Sequence, residues 1–391
     1  MFLASMMMVE GSMQIASMSG DPTAKLTDDM LTEIISRVPY KSTCCCKCVS
    51  TRWRDLISHP YHRKEMPQSL IGFFHESSDE SSDRERSRKS ARCFTNVSGK
   101  GDPLVDPSLS FLAKLGLVSI VDCCNGLLLC FFCKQRDPVE WDYVVCNPAT
   151  EKWVVVPGTK WTSNVVARLA FDPAVSSHFY VCEFVEDSSG CITVVVIYSS
   201  KTGHWSYKDD AWSVYEIEIP PLSKSVLFRG VLYLCAFDHR LVALVVEENN
   251  WKAMHLPMTE CYSGFGEPSY DIYLSQGQLY FAHKGASQLS IWFLEDPSSE
   301  NWTFKHIVSH LQMLETQYLA YSAGYVVLSI HPKHNLIFLV CRYEETLMSY
   351  DMDSREVHIL CQLGRDGKIH RSKTNYLPYV PLYSELLADG H

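Results

Sequence analysis

Four groups of side chains have spacings that invite chemistry. Cys44, Cys45, Cys46 and Cys48 crowd five positions, and thiolates in such density suggest zinc. Structural zinc, however, draws pairs spaced by two to four residues from two separate segments, and four cysteines on one short helix splay to different faces. Cys130 and Cys133 form a lone Cys-x-x-Cys inside an apolar run, where a redox motif would open a helix and a zinc knuckle would need a second pair. His306 with His310, and His331 with His334, have ligand-like spacing but no third ligand nearby in sequence, and read as loop or surface residues. No Gly-Lys-Ser or Gly-Lys-Thr phosphate loop and no Gly-x-Ser-x-Gly elbow occurs. A cysteine–histidine pair assembled from distant segments is the one catalytic arrangement left open. No metal and no cofactor are expected.

Composition narrows the class further. Of 391 residues 46% are hydrophobic, ample for a packed core, and the length fits one small module beside one large domain. A net charge of −10 makes the chain a poor nucleic-acid binder, since phosphate neutralisation needs clustered basic residues. Sixteen cysteines, several adjacent, suit reduced apolar filler rather than a disulfide scaffold. The first twenty residues lack Lys and Arg, so no export signal is expected, and the sequons at Asn96 and Asn301 gain no meaning without one. Leu115 to Cys133 is long and apolar, yet Gly116, Asp122, Asn125 and Gly126 interrupt it; two buried strands joined by a turn fit better than a membrane span. The protein is expected inside the cell, in cytoplasm, nucleus or both.

Residues 1–24 are aperiodic and read as disordered. From Leu26 a helical pattern starts. Thr27 is a candidate N-cap followed by Asp28 and Asp29, where the helix dipole favours negative charge. Met30, Leu31, Ile34, Ile35 and Val38 make an apolar stripe that Pro39 ends. Ser42 can cap a second short helix running to Val49, and a third spans Arg52 to Ile57 with Trp53 and Leu56. Three short helices are too few for a strong core of their own, so part of the stripe should meet a partner. The run Leu26 to Pro39, then Lys41-Ser42, then Cys48-Val49-Ser50-Thr51-Arg52-Trp53-Arg54-Asp55-Leu56-Ile57, resembles an F-box, with Thr27 standing where that family usually has proline. The resemblance implies docking on the Skp-type adaptor of a cullin-RING ubiquitin ligase. The residues it assigns to that docking are Leu26, Met30, Leu31, Ile34, Ile35, Val38, Pro39, Val49, Trp53 and Leu56.

Behind this module, placed at 25–62, lies a serine-rich, mixed-charge stretch near 76–92 that reads as a disordered loop. Over 67–385 helical periodicity gives way to short β-branched and aromatic runs, among them Leu127–Cys133, Phe179–Val185 and Leu336–Cys341. A turn followed by tryptophan recurs at Trp153, Trp205, Trp251 and Trp302, spaced by 52, 46 and 51 residues, and a fifth copy ends at Val357. A period near fifty with four strands per unit is the mark of kelch-like propeller blades, which must stack in a ring to bury both faces. The recurring tryptophan should pack each blade against its neighbour. Five blades are visible, and Ser69–Phe74 meeting Tyr379–Leu382 would close a sixth without free edges. Asp122 to Cys130, with Asn147-Pro148-Ala149-Thr150 and Trp153, is similar to the F-box-associated domain of plant F-box proteins.

The fold class expected is thus a small all-α F-box of three short helices before an all-β kelch-like propeller. The function the resemblance implies is that of a non-catalytic substrate receptor in a Skp–cullin–F-box ligase; the alternative is a propeller enzyme or carbohydrate-binding module with an F-box-like front end. If the tryptophan turns join third and fourth strands, they share one face with Glu151, Lys152, Glu248 and Glu300. The other face would gather Lys134, Arg136, Trp141, Lys160, Trp161, Tyr207, Trp212, Tyr262, Phe265 and Tyr270. Of these, Arg136, Trp141, Trp161, Tyr207, Trp212, Tyr262, Phe265 and Tyr270 are the candidate contacts for a protein target, Trp, Tyr and Arg being the types that dominate interfaces.

Overall fold

The computed structural model describes residues 25–38, 42, 45–59, 70–78, 90–136, 139–159, 165–208, 216–221, 223–257, 270–297, 300–314, 324–341, 345–363, 376–383 and 387. The chain divides into two compact units, residues 1–67 and 68–391.

In the first unit, α1 (Asp28–Ser36) begins where the Thr27 hydroxyl accepts the Met30 amide at 3.3 Å, with Asp28 and Asp29 in the first turn as the dipole prefers. α2 (Thr51–Ser58) is capped in the same way, Ser50 Oγ accepting the Trp53 amide at 3.2 Å. Two turns, Cys48 N–H to Cys45 C=O and Val49 N–H to Cys46 C=O, lead into it. Ser42, Cys45 and Cys46 are helical, within the span expected for the second helix, while the stop expected at Pro39 lies outside the described residues. Arg52 ties the two helices: its guanidinium donates to Asp28 Oδ1 at 2.7 and 2.9 Å and to the Leu26 carbonyl at 2.6 Å.

The second unit is a six-bladed β-propeller. The closing blade holds β1 (Gly72–Ser78) and β2 (Ser90–Asn96) from the start of the domain. Blade one is β3 (Val118–Cys124), β4 (Leu127–Arg136), β5 (Val139–Asn147) and β6 (Lys152–Val156). Blade two is β7 (Val165–Phe171), β8 (Phe179–Glu186), β9 (Ile192–Ser199) and β10 (His204–Tyr207). Blade three is β11 (Ser225–Phe228), β12 (Val231–Cys235), β13 (Arg240–Val245) and β14 (Asn250–His255). Blade four is β15 (Tyr270–Ser275), β16 (Gln278–Lys284), β17 (Gln288–Asp296) and β18 (Asn301–Ser309). Blade five is β19 (Tyr325–Ile330), β20 (Leu336–Cys341), β21 (Thr346–Asp351) and β22 (Val357–Gln362). Strand β23 (Leu377–Tyr379) returns to pair antiparallel with β1, Phe74 opposite Leu377 and Gly72 opposite Tyr379, and seals the ring in the order β2–β1–β23. Closure thus uses the two chain segments expected, shifted by a few residues. The stretch near 76–92 is shorter as a loop than its composition suggests, because β1 runs to Ser78 and β2 starts at Ser90.

Each recurring tryptophan sits second in a fourth strand, opposite a buried residue of the third: Trp153 on Cys146, Trp205 on Tyr198, Trp251 on Leu244, Trp302 on Leu294, with Val357 on Tyr350. All four indoles are half-buried and pack on the core between their own blade and the one before it. Val357 does the same between blades four and five. The turn before each needs a left-handed residue, supplied by Glu151, Gly203, Asn249, Glu300 and Arg355. The apolar run over Leu115–Cys133 resolves into β3 and β4, joined by Asn125-Gly126 with φ of +46° and +88°. A Cβ on Gly126 would stand 2.5 Å from Leu382 Cβ, so close approach as well as φ requires glycine there. No helix among the described residues is long and apolar enough to cross a membrane.

Candidate functional sites on the helical module and the propeller

Consecutive residues on a helix lie about 100° apart, so the paired aliphatics of α1 must part company. Leu31 and Ile35 are each 1% exposed and form the module's core with Leu56 and Ile57, flanked by Leu26, Cys46 and Trp53. Met30 and Ile34, one residue earlier in each pair, are 52% and 47% exposed, and Val49 is 64% exposed. Val38 is partly buried, and Pro39 lies outside the described residues. The residues expected to meet an adaptor therefore split into a supporting set, Leu31, Ile35 and Leu56, and a presented set, Met30, Ile34 and Val49. A charge at Ile35 would therefore break the module's core.

In the propeller the turns do join third and fourth strands, and antiparallel connectivity sends the second-to-third-strand loops and the inter-blade segments to the other end of the blades. Trp141 lies in β5 beside the β4–β5 connection, half exposed, with its ring edge-on to Phe131 at 5.3 Å. Lys134 pairs with Asp142 at 3.2 Å, and Tyr207 ends β10 with its ring largely in solvent. Tyr270 is different: it is 7% exposed, and its hydroxyl donates to the Ala236 carbonyl at 2.7 Å, so it packs the seam between blades three and four and presents no ring to a partner. Arg136 closes β4, though its side chain is not among those described, and Trp161, Trp212, Tyr262 and Phe265 lie outside the described residues.

Around the axis stands a set of charged groups that sequence reasoning missed. Asp122 in β3 accepts the Leu169 amide from β7 at 2.8 Å and the Ser225 hydroxyl from β11 at 2.9 Å. Arg168 in β7 donates to the Pro221 and Ser223 carbonyls, both at 2.9 Å. Lys224 reaches the Val327 and Leu328 carbonyls of β19 at 2.7 and 2.8 Å and lies 3.6 Å from Asp271 of β15. Burial pushes both carboxyls up and both cations down, each opposed by its counter-charge. Two acids and two bases thus link the inner strands of blades one to five with their charges matched. The only sequence cue was Asp122, visible as a lone charge in an apolar run, because its partners lie 47 and 103 residues away.

The histidine pairs separate as well. His306 shares a hydrogen bond of 2.9 Å with the Tyr350 hydroxyl, whereas His310 is a core residue against Tyr325, contrary to its reading as a loop or surface side chain. His331 accepts the Lys333 and His334 amides through Nδ1, and burial lowers its pKa to about 4. Cys130 is fully buried and Cys133, three residues along the strand, faces the other side.

Residues 24–65 match the F-box domain, and residues 108–376 match the family described as F-box protein At3g26010-like, beta-propeller. Among similar proteins of Arabidopsis thaliana, F-box protein At5g07610 is 26% identical over 74% of this chain and 74% of its own length. F-box protein At5g03970 is 24% identical over 90% of this chain and 87% of its own, and F-box protein DOR 24% identical over 71% and 72%. With the second match covering more than half of its length and a capped helical module in front, the chain belongs to the At3g26010-like F-box β-propeller family.

Proposed function

We propose that this protein is the substrate-recognition subunit of a Skp–cullin–F-box ubiquitin ligase, its helical module docking a Skp-type adaptor and its propeller holding a protein target. The observation that carries the reading is the presented set on the module: Met30 and Ile34, one turn apart on α1, with Val49, all apolar and open. Apolar groups so placed on a unit with so small a core gain by being covered. Catalysis is then proximity, the propeller holding a target near an activated ubiquitin that other subunits carry. Work inside the cell, in cytoplasm or nucleus, follows from such partners.

The test compares cells expressing the wild type with cells expressing Met30→Asp/Ile34→Asp, by quantitative mass spectrometry. A small set of proteins that co-purify with both forms should accumulate only with the variant. No accumulation, with the variant still folded and its associations intact, would overturn the reading.

A further inference from the structure

Five blades carry four strands; among the described residues the closing blade carries three, in the order β2–β1–β23. In the five, a left-handed residue after the third strand is followed two positions later by Trp153, Trp205, Trp251, Trp302 or Val357. After β2 the chain starts the same move: Gly99 has φ +66° and its amide donates to the Asn96 carbonyl at 2.9 Å. Two positions later stands Gly101, at φ +78°, where a Cβ would meet nothing within 4 Å. The strand is then abandoned. The Asn96 carboxamide donates to the Lys100 and Asp102 carbonyls at 2.9 and 2.8 Å and accepts the Leu104 amide at 3.1 Å. Beyond Pro103 the chain leads to a 3-10 helix, Ser110–Leu115, whose Leu112 packs between the closing blade and blade one.

Two features remain at the outer side of β2. Val97 N–H bonds to the Ile71 carbonyl at 2.8 Å, so by antiparallel alternation the amides of Arg92, Phe94 and Asn96 face away from β1, where no strand lies among the described residues. The residues opposite the recurring tryptophans (Cys146, Tyr198, Leu244, Leu294, Tyr350) are at most 7% exposed, but the corresponding Thr95 is only partly buried. Val97, two positions further along the same face and just past the end of β2, packs on the seam with blade five together with Leu360 and Cys361 of β22.

We propose that an extended segment of a partner protein adds to β2 as the missing fourth strand, antiparallel, with one large apolar side chain opposite Thr95. Main-chain bonds would supply the affinity and that one seat the selectivity. The chain itself offers five examples of such an occupant. The neighbouring sequences 60–69, 79–89 and 364–375 lie outside the described residues; none of them contains tryptophan, and the first has two prolines. The proposal rests on the reading of the propeller as the target-binding domain.

The probe is a fluorescein-labelled synthetic peptide of residues 300–309, titrated onto the full-length protein and followed by anisotropy. It should bind the wild type, and binding should fall by at least about tenfold for Thr95→Arg and for a Trp302→Ala peptide. Amide exchange at Phe94 should slow on adding the peptide. No binding to the wild type, or equal binding by Thr95→Arg with unchanged exchange at Phe94, would overturn the proposal. If Thr95→Arg lowers the melting temperature, exchange in the wild type decides alone. Adaptor capture by the same preparation is read separately: its presence without peptide binding defeats this proposal and leaves the proposed function standing.

Discussion

The same residue types meet different fates in the two units. In α1, Leu31 and Ile35 turn inward while their chain neighbours Met30 and Ile34 remain half exposed, because the small core between α1 and α2 takes only one member of each pair. In the propeller a third strand such as β13 buries Leu241, Val242, Ala243 and Leu244 in succession, one side facing blade two and the other blade four. A blade between two neighbours needs apolar residues at every position, and a small module with one core needs them at every third or fourth. Surplus apolar surface therefore stays exposed in the module, whereas in the ring it is absorbed by the next blade. The ring departs from that rule at the closing blade, where no fourth strand lies among the described residues.

If the ring is held by what its blades share, the largest loss should come from its axis. Lys224→Met removes the counter-charge of Asp271 and three hydrogen bonds, and should cost about 3–5 kcal/mol in denaturant unfolding of the propeller. Within the module the two members of a pair should behave differently. Leu31→Ala should destabilise by about 2–4 kcal/mol, while Met30→Ala changes stability by less than about 0.5 kcal/mol and shows its effect only in adaptor binding. Equal effects of the two would erase the distinction between supporting and presented residues.

Acid should strain the closing seam. His75 in β1 accepts or donates at Nε2 with the Thr95 hydroxyl at 3.0 Å, and burial lowers its pKa from 6.5 to about 4. Between those values the unfolded chain binds the extra proton, so the stability from keeping this ring neutral is complete above pH 6.5 and is lost as pH falls to 4. The loss should reach about 3 kcal/mol at most, and His75→Asn should flatten that part of the profile. The smallest effect belongs to the turns: Arg355→Asn places at φ +62° a residue that tolerates the left-handed region, as Asn249 does in blade three, and should stabilise by a few tenths of a kcal/mol.

Much of this was legible before any coordinates. The tryptophan period located five blades because each copy carries its own turn, strand and seam residue within a dozen positions, and Thr27 and Ser50 cap helices through atoms three residues away. What escaped depends on distance along the chain. Asp122, Arg168, Lys224 and Asp271 come together only when inner strands converge, and His310 and Tyr270 are core because of partners in neighbouring strands and blades. The stripe on α1 was legible, but which of Met30 and Leu31 faces inward depends on where α2 lies, and periodicity alone does not say.

The central claim is that the module's open apolar pair is a docking surface for a ligase adaptor. Calorimetric titration of a purified Skp-type adaptor onto the full-length protein tests it most directly, with Met30→Asp/Ile34→Asp beside the wild type. The wild type should bind one-to-one and the variant at least about a hundredfold more weakly, with the melting of the propeller unchanged. Equal affinity of the two proteins, or no heat with the wild type, would contradict it.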